Sequence, residues 1–106
     1  RSKDMIKTGG LNVYSQEVEH VLAKHPAVRE VAVIGTSDAH WGEMVTAVVT
    51  LHNGQSADED DLISFARANL SGYQTPKRVV FMSYDDLPKN YLGKILKREL
   101  RQKVDS

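Results

Sequence analysis

Apolar residues recur with two different periods along this chain, and each change of period marks a strand or a helix. Residues 5–6 and 12–14 are short extended runs on either side of a Gly-Gly pair at 9–10, which predicts two strands joined by a glycine turn. Apolar residues at 18, 21 and 22 then follow helical spacing. We therefore expect a first helix over 15–24, with Ser15 as its N-cap.

The middle of the chain contains a nearly continuous apolar run over 28–35, which is typical of a central strand buried on both faces. A loop is expected at 38–42. From 43 to 51 the pattern alternates: apolar side chains point one way, and Thr46 and Thr50 point the other. This alternation predicts a half-buried strand, antiparallel to the preceding one.

The last half of the chain adds two helices and one strand. An acidic run at 58–61 opens a second helix, because negative charge suits the positive end of the helix dipole. A short strand at 79–81, a loop at 84–93 and a helix from about 95 to 103 follow. The order ββαββαβα indicates an α+β fold, with a small, mostly antiparallel sheet and three flanking helices.

Composition indicates one ordinary globular domain over residues 1–106. The 14 lysines and arginines balance the 14 aspartates and glutamates, so net charge gives no reason to expect a nucleic-acid or membrane partner. No apolar run approaches the roughly 20 residues that span a bilayer. The sequence has no cysteine, which is compatible with a reducing compartment, and we expect a cytoplasmic protein. The four histidines lack metal-binding spacing, so no metal site is expected.

The segment PKNYLGKI, residues 88–95, places a lysine on a loop before a basic, amphipathic stretch. Proline pre-sets one turn, and Gly93 permits a backbone conformation that most residues resist. Lys94 can therefore extend as a positive charge toward a phosphate or carboxylate. A Walker-type phosphate loop does not fit, because it needs glycine in place of Pro88 and serine or threonine in place of Ile95.

The other end of the chain reads RSKDMIKTGGLNVY, residues 1–14. Together, the two segments closely resemble the hinge motif and the catalytic-lysine motif of the adenylate-forming superfamily, which includes acyl-CoA synthetases, luciferases and peptide-synthetase adenylation domains. The resemblance covers essentially the whole chain. It implies the small C-terminal lid domain of such an enzyme, starting at the hinge. A large N-terminal domain that binds ATP and the acyl group would be absent from this chain, which alone is expected to be inactive.

The resemblance also implies two half-reactions, with ATP, CoA and a small carboxylic acid as substrates and Mg²⁺ held with ATP by the large domain. Lys94 would stabilise the negative charge that develops during adenylation. The domain would then rotate, and Gly10 would line the pantetheine tunnel, where no Cβ obstructs a thiol arm. A plain hairpin turn is the alternative interpretation of Gly9 and Gly10.

Further functional positions follow only from the resemblance. They are Arg1, at the ribose; Lys3, the hinge; Lys7, near the adenylate during thioester formation; and Gly9, Gly10, Trp41, Tyr73 and Lys77, at CoA. Core packing is the alternative for Trp41. Thr75 stands where related ligases often carry arginine, so the sequence departs here from the family's pattern for recognising the CoA phosphates.

The run GGLNVY, residues 9–14, resembles the Gly-Gly-Glu-Asn-Val-Tyr run of fatty-acyl and aryl ligases, with Leu11 in place of glutamate. This favours a CoA ligase over an adenylation domain that loads a carrier protein. Two alternatives from other classes stay open. One is a non-catalytic α+β module that self-associates through its sheet edge, and the other is a nucleic-acid-binding domain that uses the basic C-terminal helix.

Overall fold

In a computed structural model that describes residues 5–105, strands and helices follow one another in the predicted order. The strands are β1 (Met5–Thr8), β2 (Leu11–Tyr14), β3 (Val28–Asp38), β4 (Gly42–Leu51) and β5 (Arg78–Phe81). The helices are α1 (Ser15–Leu22), α2 (Glu59–Asn69) and α3 (Lys97–Asp105). Short 3-10 turns at Gly72–Gln74 and Tyr84–Asp86 flank β5. Arg1 and Lys3, the predicted ribose-binding and hinge residues, lie outside the described residues.

The five strands form one sheet in the order β2-β1-β4-β3, with β5 also paired to β4. The pairs are antiparallel except β4 with β5, which run parallel. β1 reaches β4 at a single pair, Thr8 opposite Gly42, beside the loop that joins β3 to β4. The β1–β2 hairpin therefore projects from one end of the central β3–β4 hairpin. This architecture confirms the α+β prediction.

Helices cover both faces of the sheet. On one face, α1 and α2 pack over a core that includes Val33, Ala47 and Leu62. On the other face, α3 and the segment before it pack around Ile34 and Leu100. The prediction that β3 is buried on both faces is confirmed, because neighbouring residues of this strand belong to opposite clusters.

The prediction that β4 is half-buried was wrong, because its threonine face is buried as well. Thr46 is 0% exposed, and its hydroxyl lies 2.9 Å from the Thr36 hydroxyl. The Thr50 hydroxyl donates to the main-chain oxygen of Met82 at 2.8 Å. Because these hydroxyls find partners inside the protein, threonine is tolerated under the cover of α3 and the segment before it.

The starts of two helices also differ from the prediction, and the ends of both lie two residues from the predicted ones. Ser15 is the first residue of α1, and Tyr14 occupies the N-cap position without a side-chain hydrogen bond. The Ser15 hydroxyl is buried and accepts instead from the ammonium of Lys97 at 3.1 Å. α3 begins at Lys97, two residues later than expected, because Ile95 forms a β-bridge with Lys89.

The acidic run at the start of α2 caps the helix. Asp58 Oδ1 accepts from Asp61 N–H at 2.9 Å, and Asp61 Oδ2 accepts from Asp58 N–H at 3.0 Å. Glu59 Oε2 accepts from Val79 N–H at 2.8 Å, which ties α2 to β5. Within residues 5–105, no group of three or more histidine, aspartate or glutamate side chains is placed to hold a metal ion. The described helices are all too short or too polar to cross a membrane.

Candidate functional site

Lys94 lies in the turn that the bridge between Lys89 and Ile95 closes, three residues before helix α3 begins. Its main chain is bonded to Asn90 on both sides: Lys94 N–H donates to Asn90 Oδ1 at 3.0 Å, and Asn90 N–H donates to Lys94 O at 2.9 Å. Gly93, with φ of +85°, donates its N–H to Asn90 O at 2.9 Å. The main chain of Lys94 is thus held in place, whereas the residue as a whole is exposed.

The tip of this turn presents two large apolar side chains. Tyr91 is 95% exposed and Leu92 is 76% exposed. The Leu92 N–H also donates to Asn90 Oδ1, at 2.9 Å, so the tip is ordered by the same side chain that holds Lys94. The predicted loop therefore contains a hydrogen-bonded turn with an outward-facing surface.

The base of the turn is anchored by Lys89. Its ammonium donates to the main-chain oxygens of Tyr84, at 2.6 Å, and Leu87, at 3.1 Å. The ring of Tyr84 also lies 4.0 Å from that ammonium and 4.0 Å from the guanidinium carbon of Arg29. These cation–π contacts stabilise the base of the turn.

The end of the turn that enters α3 is fixed by a polar network. The Lys97 ammonium forms an ion pair with Glu19 at 2.6 Å. Glu19 Oε2 also accepts from Val33 N–H at 2.9 Å, so one carboxylate connects α1, β3 and α3. The two charged side chains are 19% and 22% exposed, which protects the pair from screening by solvent.

A cleft of 880 Å³ opens beside the turn, between α1, β3 and the start of α3. Its charged lining is mixed, with Glu19 and Glu30 facing Lys94 and Arg98. Among the described residues, none of those predicted to bind CoA lines this cleft, so Lys94 does not share it with them.

Three of the predicted CoA-binding residues come together at the end of the β1–β2 hairpin. Gly9 N–H donates to Trp41 O at 2.9 Å, and a Cβ at Gly9 would lie only 2.8 Å from Cε3 of the Trp41 ring. The Lys77 ammonium lies 5.0 Å from the centroid of the same ring. Gly9, Trp41 and Lys77 thus form one contiguous surface, which we call the tryptophan surface.

Trp41 is not a core residue, since it is 39% exposed. Its loop is held by Asp38, whose Oδ2 accepts from the main-chain N–H of His40 at 3.0 Å and of Trp41 at 2.8 Å. The imidazole of His40 meets the indole edge to face, with centroids 4.6 Å apart. The ring is therefore both ordered and accessible, as an aromatic contact for a ligand must be.

The remaining predicted residues lie on the surface near this hairpin. Gly10 has φ of +82° and open space where a Cβ would stand. Lys7 is exposed on β1, and its N–H donates to the carboxylate of Glu43 at 2.9 Å. Tyr73, 42% exposed, lies in the 3-10 turn that contacts β2. The structure gives no direct contact between Tyr73 and Trp41.

Three of the four basic residues of α3, all except Arg98, are engaged within the domain, which argues against the nucleic-acid-binding alternative. Arg101 Nε donates to Gly35 O at 3.0 Å, and Lys103 donates to Asp86 O at 2.7 Å. Lys97 is paired with Glu19. A phosphate backbone needs cations that are available at the surface.

Side chains also occupy the outer edge of β3, which argues against self-association through that edge. Glu19 accepts from Val33 N–H, Arg101 donates to Gly35 O, and Asp105 Oδ1 accepts from Ser37 N–H at 3.4 Å. Three of the outward main-chain groups of β3 are therefore already bonded within the domain, which leaves fewer of them for pairing with a second chain.

Comparison with known proteins places the chain in a family. The family model of the AMP-binding enzyme C-terminal domain matches residues 17–94. A 4-chlorobenzoate–CoA ligase of Pseudomonas sp. (strain CBS-3) is 45% identical over 107 residues, covering 100% of this chain and 20% of that protein. A feruloyl-CoA synthase of Amycolatopsis sp. is 47% identical over 103 residues, covering 97% of this chain and 21% of that protein.

A solved structure gives the same result. The crystal structure of apo MatB from Rhodopseudomonas palustris matches with a TM-score of 0.92 and 42% identity, covering 100% of this chain and 21% of that one. The chain belongs to the AMP-binding enzyme C-terminal domain family. It spans about one fifth of the length of these relatives.

Sequence reasoning missed three features that organise the site: Asn90, the anchoring carboxylate of Glu43, and the pair of Glu19 with Lys97. An asparagine just before a glycine-containing turn is a local signal that was available, because its side chain commonly bonds the main chain two residues on. No comparable signal marks the other two, since their partners are distant in sequence.

Proposed function

We propose that this chain is the mobile C-terminal domain of an AMP-forming acyl-CoA synthetase, and that it supplies Lys94 to the first half-reaction. The observation that carries the proposal is an exposed lysine on a turn whose main chain is hydrogen-bonded at that residue. A preorganised cation of this kind suits a centre where negative charge develops, because little reorganisation accompanies the reaction.

In the first half-reaction, an oxygen of the carboxylic acid attacks the α-phosphorus of ATP and displaces pyrophosphate. Lys94 would lie between the carboxylate and the phosphate oxygens and stabilise the charge that they share. ATP, its Mg²⁺ and the acid would be bound by a large preceding domain, which is the natural partner of this one. By itself, the 106-residue chain is expected to release no pyrophosphate from ATP and acid.

In the second half-reaction, the thiol of CoA attacks the acyl carbonyl, loses its proton to solvent and displaces AMP. The tryptophan surface supports a role in this step: Trp41 offers an exposed ring, Lys77 a cation and Gly9 a backbone without a side chain. Gly10 would leave the thiol arm room to pass. Lys94 lies apart from this surface, so a rotation of the whole domain would present one and then the other to a single centre.

Two variants of the full-length protein test the roles proposed for Lys94 and Gly10, because each variant should slow only one of the half-reactions. The acid is chosen from 4-chlorobenzoate, ferulate and hexadecanoate, whichever gives the fastest release of pyrophosphate. Lys94→Ala is expected to slow adenylation about 100-fold or more, while conversion of supplied acyl-adenylate to acyl-CoA continues. Lys24→Ala, which removes another exposed lysine, should change neither rate.

Gly10→Asn is expected to show the opposite selectivity. Asparagine adopts positive φ more readily than leucine, so the variant adds bulk with little strain. CoA transfer should fall about tenfold because the thiol is misplaced, with adenylation nearly unchanged. Gly54→Asn is the matched control, because Gly54 has φ of +81° and open space around its missing Cβ. Equal loss of both half-reactions in either test variant would refute its assignment.

A further inference from the structure

We propose that Asn90 is a positioning residue for Lys94 in adenylation: its side chain, together with its own main chain, sets where the Lys94 ammonium points. This inference rests on the proposed function of Lys94. It assigns a role in the reaction to a residue that would not itself touch the substrate.

The hydrogen bonds that hold the main chain of Lys94 are made with a single nearby residue, Asn90. Both main-chain polar groups of Lys94 are bonded to one residue, the N–H to Asn90 Oδ1 at 3.0 Å and the C=O to Asn90 N–H at 2.9 Å. The same Oδ1 accepts from Leu92 N–H at 2.9 Å. One side-chain oxygen thus closes the turn from two directions.

The base of the turn is closed by the bridge between Lys89 and Ile95, but few other restraints act on its tip. Tyr91 and Leu92 are 95% and 76% exposed, so packing does not hold the tip. Gly93 adds conformational freedom and is bonded to the main-chain oxygen of Asn90. If Oδ1 is removed, the two main-chain bonds to residue 90 remain, but nothing replaces the bonds to Leu92 and Lys94 within the turn. The main chain at Lys94 would then sample several orientations.

Loss of this restraint affects the two half-reactions differently. Adenylation needs the ammonium at one position between two groups of oxygens, and small displacements of such a charge lower the rate strongly. CoA transfer uses the tryptophan surface, which makes no hydrogen bond to the turn among those described. Asn90 should therefore influence the first step alone.

Variants of the full-length protein separate side-chain positioning from general stability. Asn90→Ala removes the acceptor. Asn90→Ser restores a nearby acceptor oxygen, since serine forms the same kind of turn more weakly. Asn90→Gln keeps the amide but moves its oxygen by one methylene. Asn69→Ala is the control, because Asn69 makes an exposed side-chain hydrogen bond, to Phe65 O at 2.9 Å, at the end of α2.

Three quantities are measured for each variant, with the acid selected above. Adenylation is followed by pyrophosphate release, which gives kcat and KM for ATP. The transfer of supplied acyl-adenylate to CoA and the Tm are measured separately. Asn90→Ala and Asn90→Gln are expected to lower kcat of adenylation about tenfold, with KM for ATP, acyl transfer and Tm close to wild type. Asn90→Ser should recover most of the rate. In a Lys94→Ala background, Asn90→Ala should cause no further loss, because its effect passes through Lys94.

Several results would overturn the proposal: a wild-type adenylation rate in Asn90→Ala, equal loss in both half-reactions, no recovery with serine, or an additional loss in the Lys94→Ala background. If Asn90→Ala fails to fold, the comparison of the serine and glutamine variants decides. Failure of Lys94→Ala to slow adenylation would refute the proposed function itself. If Lys94→Ala slows adenylation but Asn90→Ala does not, only the positioning role of Asn90 is refuted.

Discussion

Gly9 and Gly10 are neighbours in sequence, yet the structure requires glycine at each for a different reason. Both have positive φ, of +56° and +82°. At Gly9 a Cβ would also overlap the Trp41 ring, at 2.8 Å from Cε3 and 3.1 Å from Cζ3, whereas at Gly10 it would meet nothing within 4 Å. For the fold of the domain, Gly9 therefore permits a close approach of backbone and ring, whereas Gly10 is needed only for its backbone conformation.

The free energies of unfolding of Gly9→Ala and Gly10→Ala should separate these two requirements. Gly10→Ala adds strain of about 1 kcal/mol, the cost of a side chain in the left-handed region. Gly9→Ala carries the same strain and must also displace the Trp41 ring, so a total loss of about 2–4 kcal/mol is expected. Urea denaturation of each variant measures the difference. Equal losses would mean that Trp41 moves aside without cost.

The motif resemblance was most informative about which individual residues belong to one surface. It pointed to Gly9, Trp41 and Lys77, and the structure brings these three together. The pairing of Glu19 with Lys97 could not be predicted, because the partners lie on different helices and their contact depends on how α1 and α3 pack on β3. Tertiary contacts of this kind leave no periodic trace in the sequence.

At the scale of elements, the type and order of strands and helices followed from hydrophobic period, whereas burial and boundaries did not. The alternation in β4 correctly separated its two faces, but no local pattern showed that the threonine face would be covered. The start of α3 shifted because the bridge at Ile95 takes that residue into an extended conformation. Parallel pairing of β5 with β4 was likewise not evident from the sequence.

The ion pair of Glu19 with Lys97 is expected to stabilise the packing of α3. Glu19→Gln or Lys97→Met leaves a partly buried charge without its partner, which should lower the free energy of unfolding by about 2 kcal/mol. The double variant should lose less than the sum of the two single losses. Chemical denaturation of the three variants forms a double-mutant cycle.

Lys24→Met is the control for that cycle, because it removes the charge of an exposed lysine on the segment after α1. Its stability should stay within about 0.5 kcal/mol of wild type. Strict additivity of Glu19→Gln and Lys97→Met would show that the two side chains do not stabilise each other.

At the scale of the molecule, the chain is compact enough to be one folding unit. Its radius of gyration is 12.9 Å, close to the roughly 13 Å expected for a domain of this length. The layered arrangement separates the turn that carries Lys94 from the tryptophan surface, while a shared sheet connects them. Two distinct surfaces on one folding unit are what the proposed rotation of the domain would require. The motifs predicted the two sets of residues, and the fold determines how far apart they lie.

The central β3–β4 hairpin has a consequence for local opening of the domain. The middle of this hairpin, where residues 32–34 pair with residues 46–48, is buried on both faces. The amides bonded between the two strands there should exchange with solvent only when the whole domain unfolds. The amide of Lys94 depends on the side chain of Asn90, which is only partly buried, and should exchange far sooner. Hydrogen–deuterium exchange of the full-length protein, followed by mass spectrometry, measures the contrast, and similar protection of the two segments would contradict it. The domain thus combines a slowly opening centre with a turn that can release and re-form its hydrogen bonds while the fold stays intact.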